Sequence, residues 1–288
     1  MKRVLPLLAL FVAAAVQAQY SGLTADLRLD QNQLMPDEDM QLKVRVINRS
    51  GQPVTLGQDD QWVTFIVQGD DGYVAPKRGD LPAKGEFTLL SGQSGTRTFN
   101  PTPYFDFRRP GHYRISATVR IPQWNQEMEC RPVSFVVADG VPLPNLANLP
   151  VGLPSPPGVS NAPPVVRRYS LIKVIYLSDL TLYFRLTDDG GQTLRVFPLA
   201  RMLSFSVPEA QVDRSNNLHV LFQTGARTFS YFVMNTDGRL VARQTQEYTG
   251  TRPTLRFTED GQVFVAGGVR RYLETDIPAP VSVSASGP

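Results

Sequence analysis

Eight of the chain's 24 prolines fall in one charge-free stretch, Val141 to Pro164, VPLPNLANLPVGLPSPPGVSNAPP. Proline has a fixed φ and no amide donor, so such a run favours polyproline II and builds neither a helix interior nor a central strand. The chain must therefore be organised as two modules with a linker at 139–165. Fully extended at roughly 3.1 Å per residue, the linker would hold them tens of ångströms apart, and a spacer is the expected reading. The competing reading uses Leu143, Leu146, Leu149 and Leu153 to lay the segment down on one module as a packed strap.

The N-terminus reads as an export signal over residues 1–18. Lys2 and Arg3 precede an apolar run from Val4 to Val16, and Val16-Gln17-Ala18 offers the small residues that a signal peptidase accepts. The run is too short to span a bilayer, and no later segment approaches the ~20 apolar residues required, so no membrane span is expected. No cysteine follows the cleavage site for lipid attachment. The expected location is periplasmic or secreted. Without residues 1–18, 27 Lys plus Arg stand against 26 Asp plus Glu. That near-neutral balance offers no general electrostatic footprint for nucleic acid. The single cysteine, Cys130, excludes an intramolecular disulfide and reads as a buried apolar residue, with an intermolecular bridge as the alternative.

From 20 to 138 the hydrophobic period is two. Met40, Leu42, Val44 and Val46 alternate with polar residues, and Tyr113, Ile115, Ala117, Val119 and Ile121 do the same after Pro110-Gly111. Trp62 to Val67 is apolar on both parities and reads as a central strand ending at a Gly69–Gly72 turn. About seven such strands predict a two-sheet sandwich. Arg109-Pro110-Gly111-His112-Tyr113 resembles the tyrosine corner of immunoglobulin-like domains, in which the tyrosine hydroxyl ties a sheet corner to upstream backbone. Ile115 stands where an immunoglobulin domain places its second cysteine. The domain is therefore similar to bacterial sandwiches without that cysteine pair, among them the BsuPI-type proteinase inhibitors, through Asn48-Arg49-Ser50, Trp62 to Val67 and the Pro-Gly-x-Tyr strand. The resemblance covers about 90 residues, and it implies architecture first and inhibition only secondarily.

Residues 166–275 repeat. Tyr183 to Gly190 is matched 48 residues later by Tyr231 to Gly238, and Pro208 to Val220 is matched at 45 residues by Pro253 to Val265. A period in the forties built of short strands and turns is the length of one four-stranded propeller blade, with room for about two such repeats. Thr187 to Leu194 resembles the Asp-box of sialidase-type propellers. That resemblance implies a structural turn in which Asp189, and Asp237 in the second copy, accept backbone amides without catalysing anything. An ordinary Asp-Gly hairpin is the alternative reading. The tail, 276–288, is small, polar and proline-containing and is expected to be disordered.

Chemistry-bearing residues are scarce. His112 and His219 are the only histidines, and neither lies in a metal-ligand spacing. There is no GxSxG elbow and no phosphate loop, although a triad assembled in three dimensions is not excluded by counting. Asp37-Glu38-Asp39, Asp59-Asp60, Asp70-Asp71 and Asp188-Asp189 all fall at predicted turns and read as solvated. Trp124, just beyond the Tyr113 strand, is the candidate exposed binding residue. The expected protein is all-β, an immunoglobulin-like sandwich plus about two blade-like repeats. Its expected function is that of an exported, non-catalytic binding or scaffold protein. It is expected to be a monomer with no cofactor and no metal, taking a protein or glycan partner. A secreted glycan hydrolase or its accessory subunit, and a proteinase inhibitor, are the alternatives.

Overall fold

The computed structural model describes residues 22–153 and 165–277. The expected export signal, residues 154–164 of the expected linker and the expected tail from Pro278 lie outside the described residues. The fold is all-β, with several open sheets.

Ten strands form the first module: β1 (Leu23–Leu29), β2 (Gln33–Leu34), β3 (Leu42–Asn48), β4 (Val54–Leu56), β5 (Val63–Gly69), β6 (Phe87–Leu89), β7 (Ser94–Phe99), β8 (Gly111–Ile121), β9 (Gln126–Glu129) and β10 (Val133–Val137). One sheet runs β1-β3-β7, a second β2-β10-β8-β5 with β9 also on β8, and β4 pairs with β6 in a small third. Strict alternation in β3 and β8 puts one face of each on the shared core, as the period of two demands. The Tyr113 hydroxyl donates to the Arg109 carbonyl at 2.6 Å, the bond expected of a tyrosine corner. Asn48, fully buried at the end of β3, donates to the carbonyls of Gln52 and Leu89 and accepts from the Ser50 amide.

One expectation for this module is corrected. Val63–Gly69 is an edge strand and not a central one, and Ile66 points to solvent. Its apolar content misleads because Trp62 precedes the strand in a short 3₁₀ turn, where its indole donates to the Ala83 carbonyl at 2.8 Å and packs on Phe87.

The second module begins inside the proline-rich stretch. β11 (Val141–Pro142) and β12 (Leu149–Leu153) both pair antiparallel with β13 (Val165–Tyr176). Over Val141–Leu153 the spacer expectation is therefore corrected in favour of the strap. Leu143, Leu146 and Leu149 pack on the second module's core, and Val151 rather than Leu153 is the buried anchor. The prolines are tolerated because both segments lie at the sheet's edge, where missing donors cost little. A side chain at Gly140 would collide with Ile172 and Val174, so glycine is what lets the strap enter.

β13 continues into β14 (Asp179–Asp188) and β15 (Thr193–Arg201). A second sheet follows from β16 (Glu209–Val212), β17 (Leu218–Gln223), β18 (Thr228–Met234), β19 (Leu240–Glu247) and β22 (Val269–Arg271), and a hairpin of β20 (Thr254–Phe257) and β21 (Val263–Ala266) completes the module. The layers stack. Tyr169, Leu171, Leu182 and Phe184 of the first sheet meet Val220, Phe222 and Phe232 of the second. On the second sheet's other face Leu221, Phe229 and Tyr231 meet Leu255 and Val263. β17 is consequently buried on both faces. Ile277 exchanges backbone hydrogen bonds with Arg243, so the ordered chain runs past the expected boundary at 276.

The repeat resolves into four equivalent hairpin turns at 188–192, 213–217, 235–239 and 258–262. In each, the first residue's amide donates to the carbonyl four residues on. Its side chain accepts the amide of that same residue: Asp188 from Gln192 (2.8 Å), Asp213 from Asn217 (2.8 Å), Asn235 from Arg239 (2.9 Å) and Thr258 from Gln262 (3.1 Å). The fourth position has positive φ in all four, as Gly191, Asn216, Gly238 and Gly261. The 45-residue match survives this alignment, since it places Asp213 on Thr258. The 48-residue match is off by one, because Asp188 and Asn235 are 47 apart.

Candidate functional site

The first module meets the second on the outer face of the β13–β15 sheet. Met35, in the turn after β2, packs against Ile172, Val174, Tyr183 and Val196 together with Ala138. The next turn carries Asp37-Glu38-Asp39, with Asp37 in the left-handed region at φ 64°. Read as solvated from the sequence, Glu38 is in fact buried. It accepts the Met35 amide at 2.8 Å and a longer contact from Gln31, and it faces Tyr183 across the junction. Burial pushes its pKa up to about 7, and the neighbouring Asp39 adds to the rise. Burial likewise raises the Tyr183 phenol.

Two adjoining grooves flank this junction and share Asp37 and Asp39. One, of about 300 Å³, sets Gln31, the 37–39 turn and Gln41 against Leu194, Arg195, Val196, Phe197 and Pro198. The other, of about 740 Å³, sets Arg78, Thr102 and Arg108 against the Gly190–Thr193 turn. Arg108 and Arg78 both grip Asp106, holding its carboxyl well below the usual range, so their charge is largely spent within their own module. Asp39 takes the Asn100 side-chain amide at 2.6 Å. A further hollow beside β5 has its polar groups committed: Asp60 accepts the amides of Ala83 and Lys84, and Lys77 pairs with Asp80.

The residues singled out from the sequence lie elsewhere. Trp124 is half-buried against the first module's core, turned in by a 3₁₀ segment that ends at left-handed Asn125, and so is not the exposed platform expected. Asp189 does not accept turn amides; Asp188 does. Asp189 is exposed and pairs with Arg168 at 2.8 Å, and Asp237 pairs with Arg167 at 2.8 Å. The one-residue displacement has a plain cause, since a three-residue turn with an added bulge needs its acceptor before the Asp-Gly pair. Cys130 is buried, and burial pushes its thiol up to about 11.

His219 proves more than an ordinary strand residue. Its Nε2 lies 3.0 Å from Asp213 Oδ2 and its Nδ1 2.6 Å from the Tyr231 hydroxyl. Burial lowers its pKa against the pull of Asp213, so the ring is neutral: Nε2–H donates to the carboxylate and Nδ1 accepts from tyrosine. Burial opposes ionisation of Asp213, but donors from Asn217 and His219 outweigh it and hold the carboxyl below its ordinary value. With both nitrogens engaged, the chain locks the 213–217 turn to β18. Among the described residues no group of three or more His, Cys, Asp or Glu is placed to hold a metal ion, and no helix is long and apolar enough to cross a membrane.

No family model matches the chain, and no curated protein does. Among solved structures it is similar to Spo0M, sporulation control protein, from Bacillus subtilis, at 13% identity over 63% of this chain and 90% of that one, with a TM-score of 0.30. A likeness that partial carries no argument about fold or activity.

Proposed function

We propose that the protein is an exported, non-catalytic binding or scaffold protein in which an immunoglobulin-like sandwich and blade-like β layers together frame a polar binding groove. The observation that carries this reading is the groove at 37–39 and 190–198, built from both modules around the Met35 and Glu38–Tyr183 junction. Ligand sites favour such inter-module crevices, where two rigid walls hold polar groups at fixed separation. The tyrosine corner and the four like hairpins support the two architectural names, and the basic-then-apolar start of the chain supports export. A glycan-acting hydrolase would need an acid and a nucleophile or base on opposite sides of the scissile bond. Here the carboxylates of Asp37, Glu38 and Asp39 share one wall, and the facing residues Gly190–Pro198 add none.

The test is to present the full chain to a glycan array and to a set of extended peptides, and separately to fluorogenic glycosides and peptides. Saturable binding without turnover, weakened by charge reversal at Asp37 and Asp39, is the expected result. Turnover that follows the purified protein would overturn the reading.

A further inference from the structure

The groove has a feature that narrows its partner. β15 is the last strand of its sheet: it pairs with β14 on one side, and no strand pairs its other side among the described residues. Side chains along a strand alternate between faces, so a groove lying on one face is lined by every second residue. This groove is lined by Leu194 to Pro198, and although Leu194 is the extra residue of a bulge against β14, Arg195 to Pro198 are four in succession on unbroken strand. It therefore lies along the strand's edge, where backbone N–H and C=O groups project in a row.

We propose that the free edge of β15 over Thr193–Phe197 receives an extended polypeptide segment as an added strand, with a lysine or arginine of that segment facing Asp37 and Asp39. The proposal rests on the binding reading above and names its partner class. Pro198 ends the ladder, since it has no amide to offer and the β14–β15 register breaks beside it. Five residues at about 3.3 Å each make a ladder of roughly 17 Å, the length of an ordinary short strand. Strand addition uses the main chain for affinity and neighbouring side chains for choice. On the wall opposite Leu194–Pro198 the charged side chains are acidic, and the groove's cation, Arg195, lies on β15 itself and acts on Asp237 of its own module. Asp37 makes no ion pair among the described residues, Asp39 has only the Asn100 amide, and Glu38 is turned inward to Tyr183. A sugar would need stacking surfaces, and Phe197 is the one aromatic side chain in either groove. Exposed edges are ordinarily blunted by lysine, proline or a cover. Over Thr193–Phe197 the 37–39 turn of the first module stands opposite the edge instead.

The test uses the full chain and fluorescein-labelled ten-residue peptides of alternating Thr and Val with one central lysine, read by anisotropy. Each peptide is also made with N-methyl groups on one alternate set of amides or on the other, the lysine pinning the register. One methylated set should lose at least about tenfold in affinity and the other less than about twofold, because only one set faces β15. Replacing the lysine by glutamate, or Asp37→Asn with Asp39→Asn, should weaken binding about fivefold and flatten its salt dependence. Asn tolerates the left-handed backbone at 37, so the variant keeps the turn. Equal effects of the two methylated sets, or no binding by any peptide, would overturn strand addition. A glycan that competes for the groove while peptides do not would overturn it too, yet leave the binding reading standing; turnover would overturn that reading itself.

Discussion

Glu38 and Asp213 are both carboxyl groups withdrawn from solvent beside a tyrosine, and they respond in opposite ways. Glu38 lies where two modules close on each other. It has one backbone donor, a weak contact from Gln31 and an acidic neighbour, so burial wins and the proton is retained near neutrality. Asp213 lies within a hairpin turn, where the Asn217 amide, the Asn217 side chain and His219 all donate to it, so the charge is retained despite burial. Two differences act together: Glu38 is the more deeply buried, and Asp213 has the more donors. A local turn supplies amides from its own backbone, whereas a junction between modules brings mostly side chains and apolar surface.

The largest effect should separate the two sites by pH. Glu38 has a folded pKa of about 7 against an ordinary 4.5, so the folded protein binds the proton more tightly. Its contribution is complete below about pH 4.5 and is lost as pH rises through 7, amounting to about 3 kcal/mol. Glu38→Gln should flatten that loss in urea unfolding between pH 5 and pH 8; an unchanged slope would show that the junction does not hold the proton. Asp213 and His219, both lowered, have the reverse sign: their stabilisation is complete above the ordinary histidine value and is lost as pH falls. Hydrogen-exchange protection, relative to the intrinsic rate at each pH, should accordingly fall toward acid in β17 and toward alkali in β14.

Asp213→Ala comes next, at about 2 to 3 kcal/mol, since it strands three donors, two of them in or near the core. Asp213→Asn should recover part of it, because the amide oxygen still accepts from Asn217. A loss below about 0.5 kcal/mol would place the turn's stability in its backbone alone.

The smaller effects test the equivalence of the four hairpins. Asp188→Ala should cost about 1 kcal/mol, for one exposed acceptor of a turn amide. Asp189→Ala should cost less than about 0.5 kcal/mol, since an exposed ion pair with Arg168 contributes little. The reverse ranking by thermal unfolding would restore the Asp-box alignment and undo the one-residue shift.

Much of this was legible in the chain. Alternation in Leu42–Asn48 and Gly111–Ile121, the Gly69–Gly72 turn, the Tyr113 hydroxyl and the 45-residue repeat depend on neighbours in sequence, and each was readable from residue type and spacing. The groove was not, because its walls are about 150 residues apart and its acidic turn has the composition of any solvated loop. The sequence by itself determined an all-β chain of short strands and hairpins, because the period of two and the turn residues act within a few residues of each other. Only the tertiary structure decided that the leucines between Val141 and Leu153 strap down rather than extend, that Glu38 is buried while Asp37 is not, and that one edge of β15 stays unpaired among the described residues. Those outcomes depend on which sheet face lies opposite which, and packing energy is gained only once distant segments have met.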